Sequence, residues 1–378
     1  MDFYLNSEHA QIKAMAESFA REHLQPYAAD WDHKEIFPVD TMRQAASLGF
    51  AGLFIREAFG GCNLNRFHGA LIFEALAQGC VATSAYLSIH NMVGGMIQRF
   101  GTADQHQAWL PKLSSFDWLS SYCLTEPSSG SDAASLKTKA IRQGDHYILN
   151  GAKAFISGGG VSDLYLVMVR TGEEGPKGIS AVIVEKGTPG LSFGKLEEKM
   201  GWRSQPTCVV NFDNCRIPVA NRLGDEGDGF KIAMMGLDGG RINIAACSLG
   251  GAQYGLDLAK SYIKERQQFG RFLSDFQALQ FKVADMETEL SAARLMVYRA
   301  GFMLSQGDPE ATLYCAMAKR FATDVGFKVV NEALQLHGGY GYIKDYQIER
   351  LVRDLRVHQI LEGTNEIMRV IIARKVLS

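Results

Sequence analysis

The chain has 378 residues, 47% of them hydrophobic and 21% charged, and a formal net charge of −2. Such a composition suits a globular protein of two or three domains, excludes extensive disorder, and leaves no basic surface for nucleic acid or an acidic membrane. No apolar run approaches the ~20 residues of a membrane span. The seven cysteines contain no CxxC pair, which favours a reducing compartment over a disulfide scaffold or a structural metal site.

The opening stretch, "MDFYLNSEHAQIKAMAESF", carries acids early and has no apolar h-region. It reads as neither a secretory signal nor an Arg-rich transit segment. A cytoplasmic location is expected, or the mitochondrial matrix for a processed eukaryotic chain. Up to residue 119 the pattern is helical. "DTMRQAASLGFAGLF" and "HGALIFEALAQGCVATSAYLSIHNMVGGMIQRFG" space apolar residues three and four apart, and Pro38 and Pro111 are expected where elements start. Near residue 120 the period changes. "HYILNG" followed by "AKAFIS" predicts a hairpin around Asn150-Gly151. "DLYLVMVRT", "GISAVIVEKG", "LSFGKLE" and "TCVVNFDNCRIP" predict further short strands. From 231 to the end helical periodicity returns in three long runs, 241–266, 276–305 and 309–339.

Several short stretches carry groups suited to chemistry. In "YCLTEPSSGSD", Thr125, Ser128, Ser129 and Ser131 supply hydroxyls and Gly130 lets a backbone N–H approach a ligand. A purely structural turn would read the same way. "AFISGG" sets aromatic Phe155 beside hydroxyl-bearing Ser157, as a stacked heterocycle requires and as a core strand with one polar end also displays. "GLDGGRINIA" puts Asp238 and Arg241 on one helix face, an arrangement that equally describes an intrahelical ion pair. "ERQQFGRFLSDFQ" groups Arg266, Phe269 and Gln277 around a glycine-broken turn, with Arg266 as a diphosphate partner. "QLHGGYGY" ends a helix in Gly338-Gly339, and "ILEGTNEI" sets Glu362 on a turn just before an amphipathic helix.

Together and in this order, "YCLTEPSSGSD", "ERQQFG", "QLHGGYGY" and "LEGTNEIMR" resemble the acyl-CoA dehydrogenase family, from about residue 5 to the C-terminus. "SIHNM", "LNGAKAFISG", "VEKGTPGLSFGK", "GWRSQPT" and "HQILEGTNE" are similar to segments of its short branched-chain members, which act in valine breakdown. The resemblance implies an α+β multidomain fold, with an N-terminal helical bundle (1–119), a small central β domain (120–230) and a C-terminal four-helix bundle (231–378). It implies FAD as cofactor and no metal. Tyr122, Cys123, Leu124, Thr125, Gly130 and Ser131 would run along the flavin, with Phe155, Ile156 and Ser157 on the other side of the ring. Phe155 stands where many members carry Trp, and Ser157 where Thr is common. Arg266, Phe269, Phe276 and Gln277, with Gln335, Leu336, His337, Gly338 and Gly339, would contact the FAD of a neighbouring subunit in a homotetramer. Thr364, Asn365 and Glu366 would touch the cofactor again at a helix N-terminus.

By the same resemblance Ser131, Asp238, Gly239, Gly240 and Arg241 hold the acyl-CoA, joined by Arg374, and Glu362 is the catalytic base. Isovaleryl-type and long-chain members carry their base on the helix at the position of Gly240, where this chain has no side chain. The expected reaction is α,β-dehydrogenation of a short branched acyl-CoA, isobutyryl favoured over 2-methylbutyryl or butyryl, with the pocket end lined from 84 to 96. Electrons would pass to an electron-transferring flavoprotein. An acyl-CoA oxidase and a non-catalytic acyl-CoA-binding paralogue are the remoter readings.

Overall fold

The computed structural model describes residues 5–378; the first four residues, part of the stretch read above for a leader, lie outside it. The first segment forms six helices: α1 (Ser7–Phe19), α2 (Ala28–Lys34), α3 (Val39–Ser47), α4 (Arg66–Gly79), α5 (Val81–Phe100) and α6 (Ala103–Ser114). The long apolar run at 68–101 divides at Cys80, whose extended backbone (φ −152°) ends α4. Both helices are buried on nearly every side, so their sequences read as apolar all round. Pro38 precedes α3 as expected. Pro111 does not start an element; it lies inside α6, whose start is set instead by a reciprocal Thr102–Gln105 capping box. Only the last turn of α6 follows the proline, so little helix remains for its missing N–H to disturb.

The central segment is one eight-stranded sheet of β1 (Ser120–Cys123), β2 (Lys139–Gln143), β3 (His146–Ser157), β4 (Leu164–Arg170), β5 (Ile179–Glu185), β6 (Leu191–Phe193), β7 (Thr207–Pro218) and β8 (Arg222–Leu223). Its order is β6-β7-β3-β2-β4-β5-β8, and β1 adds in parallel to β4. The Asn150-Gly151 hairpin does not form. β3 runs straight through it, because the twelve-residue β7 offers ladder partners along its whole length. At that point β7 carries an extra residue, and the Asn150 side chain accepts the Asn214 N–H at 2.9 Å. The hairpin sits earlier, at Gly144-Asp145, where Gly144 supplies φ +61° between the paired Gln143 and His146.

The third segment comprises α7 (Gly229–Glu265), a small ribbon of β9 (Gln267–Gln268) and β10 (Arg271–Phe272), α8 (Gln277–Ser305), α9 (Ala311–His337), α10 (Ile348–Arg356) and α11 (Asn365–Val376). α7 packs on α4, α5, α8 and α9, and α10 and α11 close against α9. One core therefore runs through both helical segments, from Phe73 and Leu76 to Leu249 and Val329. A second joins the sheet to α5 and α6 through Met92, Trp109, Leu164 and Ile183. Among the described residues no helix is long and apolar enough to cross a membrane.

A buried ion pair ties the loop after β1 to the sheet. Lys153 Nζ donates to Glu126 Oε1 at 2.7 Å and to the Leu124 carbonyl at 3.1 Å, and the Glu126 carboxylate also accepts the N–H groups of Lys137 and Thr138. Lys153→Met would leave Glu126 enclosed without its counter-charge. The expected loss is about 3–5 kcal/mol of stability, read as a lower midpoint in chemical denaturation. A shift under 1 kcal/mol would mean the pair contributes nothing to the loop.

Candidate active site

The chain enters its last helix through two consecutive left-handed residues, Glu362 (φ +56°) and Gly363 (φ +86°). Glycine adopts this conformation freely, but for Glu362 it costs on the order of 1–3 kcal/mol. The surroundings over-determine it. Lys319, fully buried on α9, donates to the Gly363 carbonyl at 2.8 Å and to Asn365 Oδ1 at 2.9 Å. Asn365 in turn donates to Asp324 and Thr323. From α7, Arg241 Nε reaches the Glu362 carbonyl at 3.4 Å. Thr364 caps α11 by accepting the Ile367 N–H.

The turn aims the Glu362 side chain at α7. Its Oε2 is enclosed and has no hydrogen-bond partner among the described residues. A Cβ on Gly240 would lie 2.6 Å from that oxygen and 3.1 Å from Met92 Sδ, so the carboxylate fits only because α7 has no side chain there. Burial pushes the carboxyl up to about 7, against the pull of Arg241 and then Lys319. Burial also brings Lys319 down to about 7, with Glu362 as the main opposing influence. The hydroxyl of Tyr122 is likewise enclosed without a partner, and its pKa is held well above normal by burial and then by the Glu362 charge. Asp238 and Arg241 do form an intrahelical pair (2.7 Å), but a buried one, in which Asp238 also accepts from Thr312 at 2.6 Å.

The β unit presents a second set of groups. An extra residue on β3 between Lys153 and Ile156 swings Phe155 out of the sheet in a left-handed conformation (φ +58°), leaving its ring 69% exposed. Cys123, Leu124 and Ile156 are buried, Ser157 half-buried, and Ser131 exposed at the loop tip. Gly130 faces open space, so nothing within the chain requires a glycine there. Arg266, Gln335, Leu336, His337, Gly338 and Gly339 line a cavity of about 580 Å³ at the far end of α7 and α9. Beside it the tip of the β9–β10 ribbon holds Phe269 93% exposed, 6.3 Å from the Phe276 ring, with Gln277 exposed at the start of α8.

Of the site residues expected from sequence, Tyr122, Gly240 and Arg241 gather around Glu362, and Arg266 with Gln335 to Gly339 lines this cavity. Arg374 belongs to neither; it is exposed in the last turn of α11. The Asn365 side chain is spent within the chain, on the clamp described above. Lys319 escaped the sequence reading. Its signal was a lysine at the core-facing positions of α9, in step with Cys315, Ala316, Ala322 and Thr323.

An exposed aromatic face, two enclosed unpartnered polar atoms and the free N–H groups at the start of α11 fit a flat, phosphate-bearing cofactor such as FAD.

Three family models match the chain: the acyl-CoA dehydrogenase N-terminal domain over residues 6–117, its middle domain over 121–215 and its C-terminal domain over 227–377. The chain is 57% identical over 373 residues to a mitochondrial isobutyryl-CoA dehydrogenase of Bos taurus, covering 99% of this chain and 90% of that one. It is 58% identical over 372 residues to the Dictyostelium discoideum protein of the same name, covering 98% and 89%. The solved butyryl-CoA dehydrogenase of Megasphaera elsdenii superposes with a TM-score of 0.97 at 39% identity, each chain fully covered.

The raised Glu362 carboxyl has a consequence for stability. Between its ordinary value of 4.5 and about 7 the folded protein keeps a proton that the unfolded chain releases, so stability falls as pH rises through that window. Gln cannot ionise. Glu362→Gln is therefore expected to gain on the unmutated protein by up to ~3 kcal/mol at pH 8, the gap closing toward pH 4.5. A difference in thermal midpoint that stays constant across this range would contradict the assignment.

Proposed function

The chain belongs to the acyl-CoA dehydrogenase family, and we propose that it dehydrogenates a short branched acyl-CoA, isobutyryl-CoA first, at the α,β bond with Glu362 as the base. The enclosed, unpartnered Glu362 carboxylate beside Gly240 carries this reading. The cofactor is FAD, which when bound supplies the acceptor for hydride from the β carbon. Removing a proton α to a thioester requires a base near neutral pKa within reach of a weak carbon acid, and burial brings Glu362 to about 7. The negative charge that develops on the thioester oxygen needs a fixed donor. The N–H of Glu362 itself has no acceptor among the described residues and is available for that role. Arg241 and Lys319 hold the turn from two helices, so the base meets the substrate already oriented. Ser131, Asp238 and Arg241 would hold the polar part of the acyl-CoA.

Tyr122 to Thr125, Gly130, Ser131 and Phe155 to Ser157 would line the flavin, and Thr364 to Glu366 its polar edge. Arg241 and Arg266 stand twenty-five residues apart on α7, roughly 37 Å along a helix. That is farther than one extended dinucleotide reaches. The cavity group would therefore serve the FAD of another copy, in a homotetramer, and Phe269 at the ribbon tip would be covered by that copy. Electrons would leave to an electron-transferring flavoprotein. A reducing compartment, cytoplasm or mitochondrial matrix, is supported by the seven free cysteines.

The deciding experiment is an acyl-CoA panel with an artificial acceptor. Isobutyryl-CoA should give the highest kcat/KM, 2-methylbutyryl-CoA and butyryl-CoA lower values, and octanoyl-CoA a very poor one; a maximum at C8 or beyond overturns the short branched-chain assignment. Glu362→Gln should retain FAD and bind acyl-CoA yet lose flavin reduction by several orders of magnitude. In the unmutated enzyme kcat/KM should rise with pH through about 7, as the carboxyl loses its proton. Bleaching of the Gln variant at the normal rate would move the base elsewhere.

Arg266→Ala tests the assembly. It should lower FAD content without disturbing the Glu362 turn of its own chain, and the deficit should track the fraction of variant chains in mixed oligomers. A fully loaded variant would detach the cavity from the cofactor.

A further inference from the structure

Where α5 meets α7, glycines stand on both helices. On α7, Gly236, Gly239 and Gly240 share one face by their three- and four-residue spacing. A Cβ on Gly236 would strike Met96 of α5 at 2.6 Å, and one on Gly240 would strike Glu362. A Cβ on Gly239 would lie 2.7 Å from Nη1 of Arg66, and one on Gly95 of α5 would lie 3.3 Å from its Nη2. The Arg66 guanidinium thus fills the crevice one residue along α7 from the place where the Glu362 carboxylate enters it. It stacks on Phe54, with Cζ 3.9 Å from the ring centroid. Its side chain has no carboxylate partner among the described residues, and Nη1 is enclosed without an acceptor.

We propose that Arg66, backed by Phe54, is the end wall of the acyl pocket and sets the length of acyl group the enzyme accepts. The proposal rests on Glu362 being the base, since it measures the pocket from that carboxylate. A short branched group ends before the guanidinium. A longer straight chain must either displace it from between Gly95 and Gly239 or press methylenes against a charged donor that they cannot satisfy. Steric and polar exclusion act together, which discriminates more sharply than an apolar wall of the same size.

The test compares kcat/KM for hexanoyl-CoA and isobutyryl-CoA in FAD-loaded protein. Arg66→Ala opens the crevice and should raise the hexanoyl-to-isobutyryl ratio at least ten-fold. A ratio within two-fold of the unmutated enzyme overturns the proposal. Should Arg66→Ala fail to load FAD, Arg66→Met carries the test, because it keeps the bulk and removes the donors. The ratio should then rise at least three-fold, and an unchanged ratio overturns the proposal. The unmutated enzyme keeps the two readings apart. If it already prefers hexanoyl-CoA, the short-chain function fails; if it prefers isobutyryl-CoA and the variants do not shift, only the role of Arg66 fails.

Discussion

A left-handed turn held by a buried lysine drives the Glu362 carboxylate against a helix that has no side chain at Gly240. The placement of α11 against α7 and α9 depends on this contact. The turn is strained and would relax if α9 did not present Lys319, and the carboxylate would clash with any side chain at position 240 of α7. α7 and α9, which share a core, are therefore fixed relative to α11 by a polar constraint as well. The charges are arranged to match. Arg241 and Lys319 offset the burial of Glu362, and Asp238 neutralises Arg241 from its own helix. Without those cations burial would hold the acid protonated well above neutrality; with them it sits where a small change in surroundings moves the proton.

The sheet meets the same site through Tyr122 of β1, whose enclosed hydroxyl feels the Glu362 charge. Its own core is ordinary, built from Tyr147, Leu149, Tyr165, Val167 and Val182. Its regularity fails at the β3 bulge. One extra residue on β3 turns Phe155 outward, and the Glu126–Lys153 pair pins the loop that follows Cys123. Lys153 is the residue that opens the bulge, so its ion pair fixes both features at once. A bulge and a buried charge are each costly alone, and here they share a residue.

The sequence was legible where one local signal had no competitor. The strands at 164–170 and 179–185, buried up to their last residue, stood out as short, mostly apolar runs, and the long helices as three-to-four periodicity. It misled where a long-range partner overruled a local preference. Asn150-Gly151 has strong turn chemistry, yet β7 supplies a full ladder opposite it, and the true turn uses the less conspicuous Gly144-Asp145. Pro111 looked like a helix start because its position near the end of α6 depends on a capping box nine residues upstream. Glu362 itself was legible only through resemblance, for nothing local says that an acid on a turn will meet a glycine 122 residues away. Lys319 and Arg66 stayed hidden for the same reason. Each is a basic residue whose meaning lies in the helix it faces.

α7 shows how one sequence can satisfy packing and chemistry together. Its glycines are not a weakness of the helix, since burial along its length supplies the stability that their propensity lacks. Each marks a point where another element enters: the Glu74 carbonyl of α4 at Gly250, Leu355 of α10 at Gly251, and Met96, Arg66 and Glu362 at Gly236, Gly239 and Gly240. The first two are close helix packing and would be read as such in any bundle. The last three differ, because what enters is a thioether, a cation and an acid, the last two each with an enclosed, unpartnered atom. Alanine at any of the three would collide with what enters, at 2.6 to 2.7 Å. Enclosing Arg66 Nη1 and Glu362 Oε2 there without partners gives up stability, which a group that arrives to use them would recover.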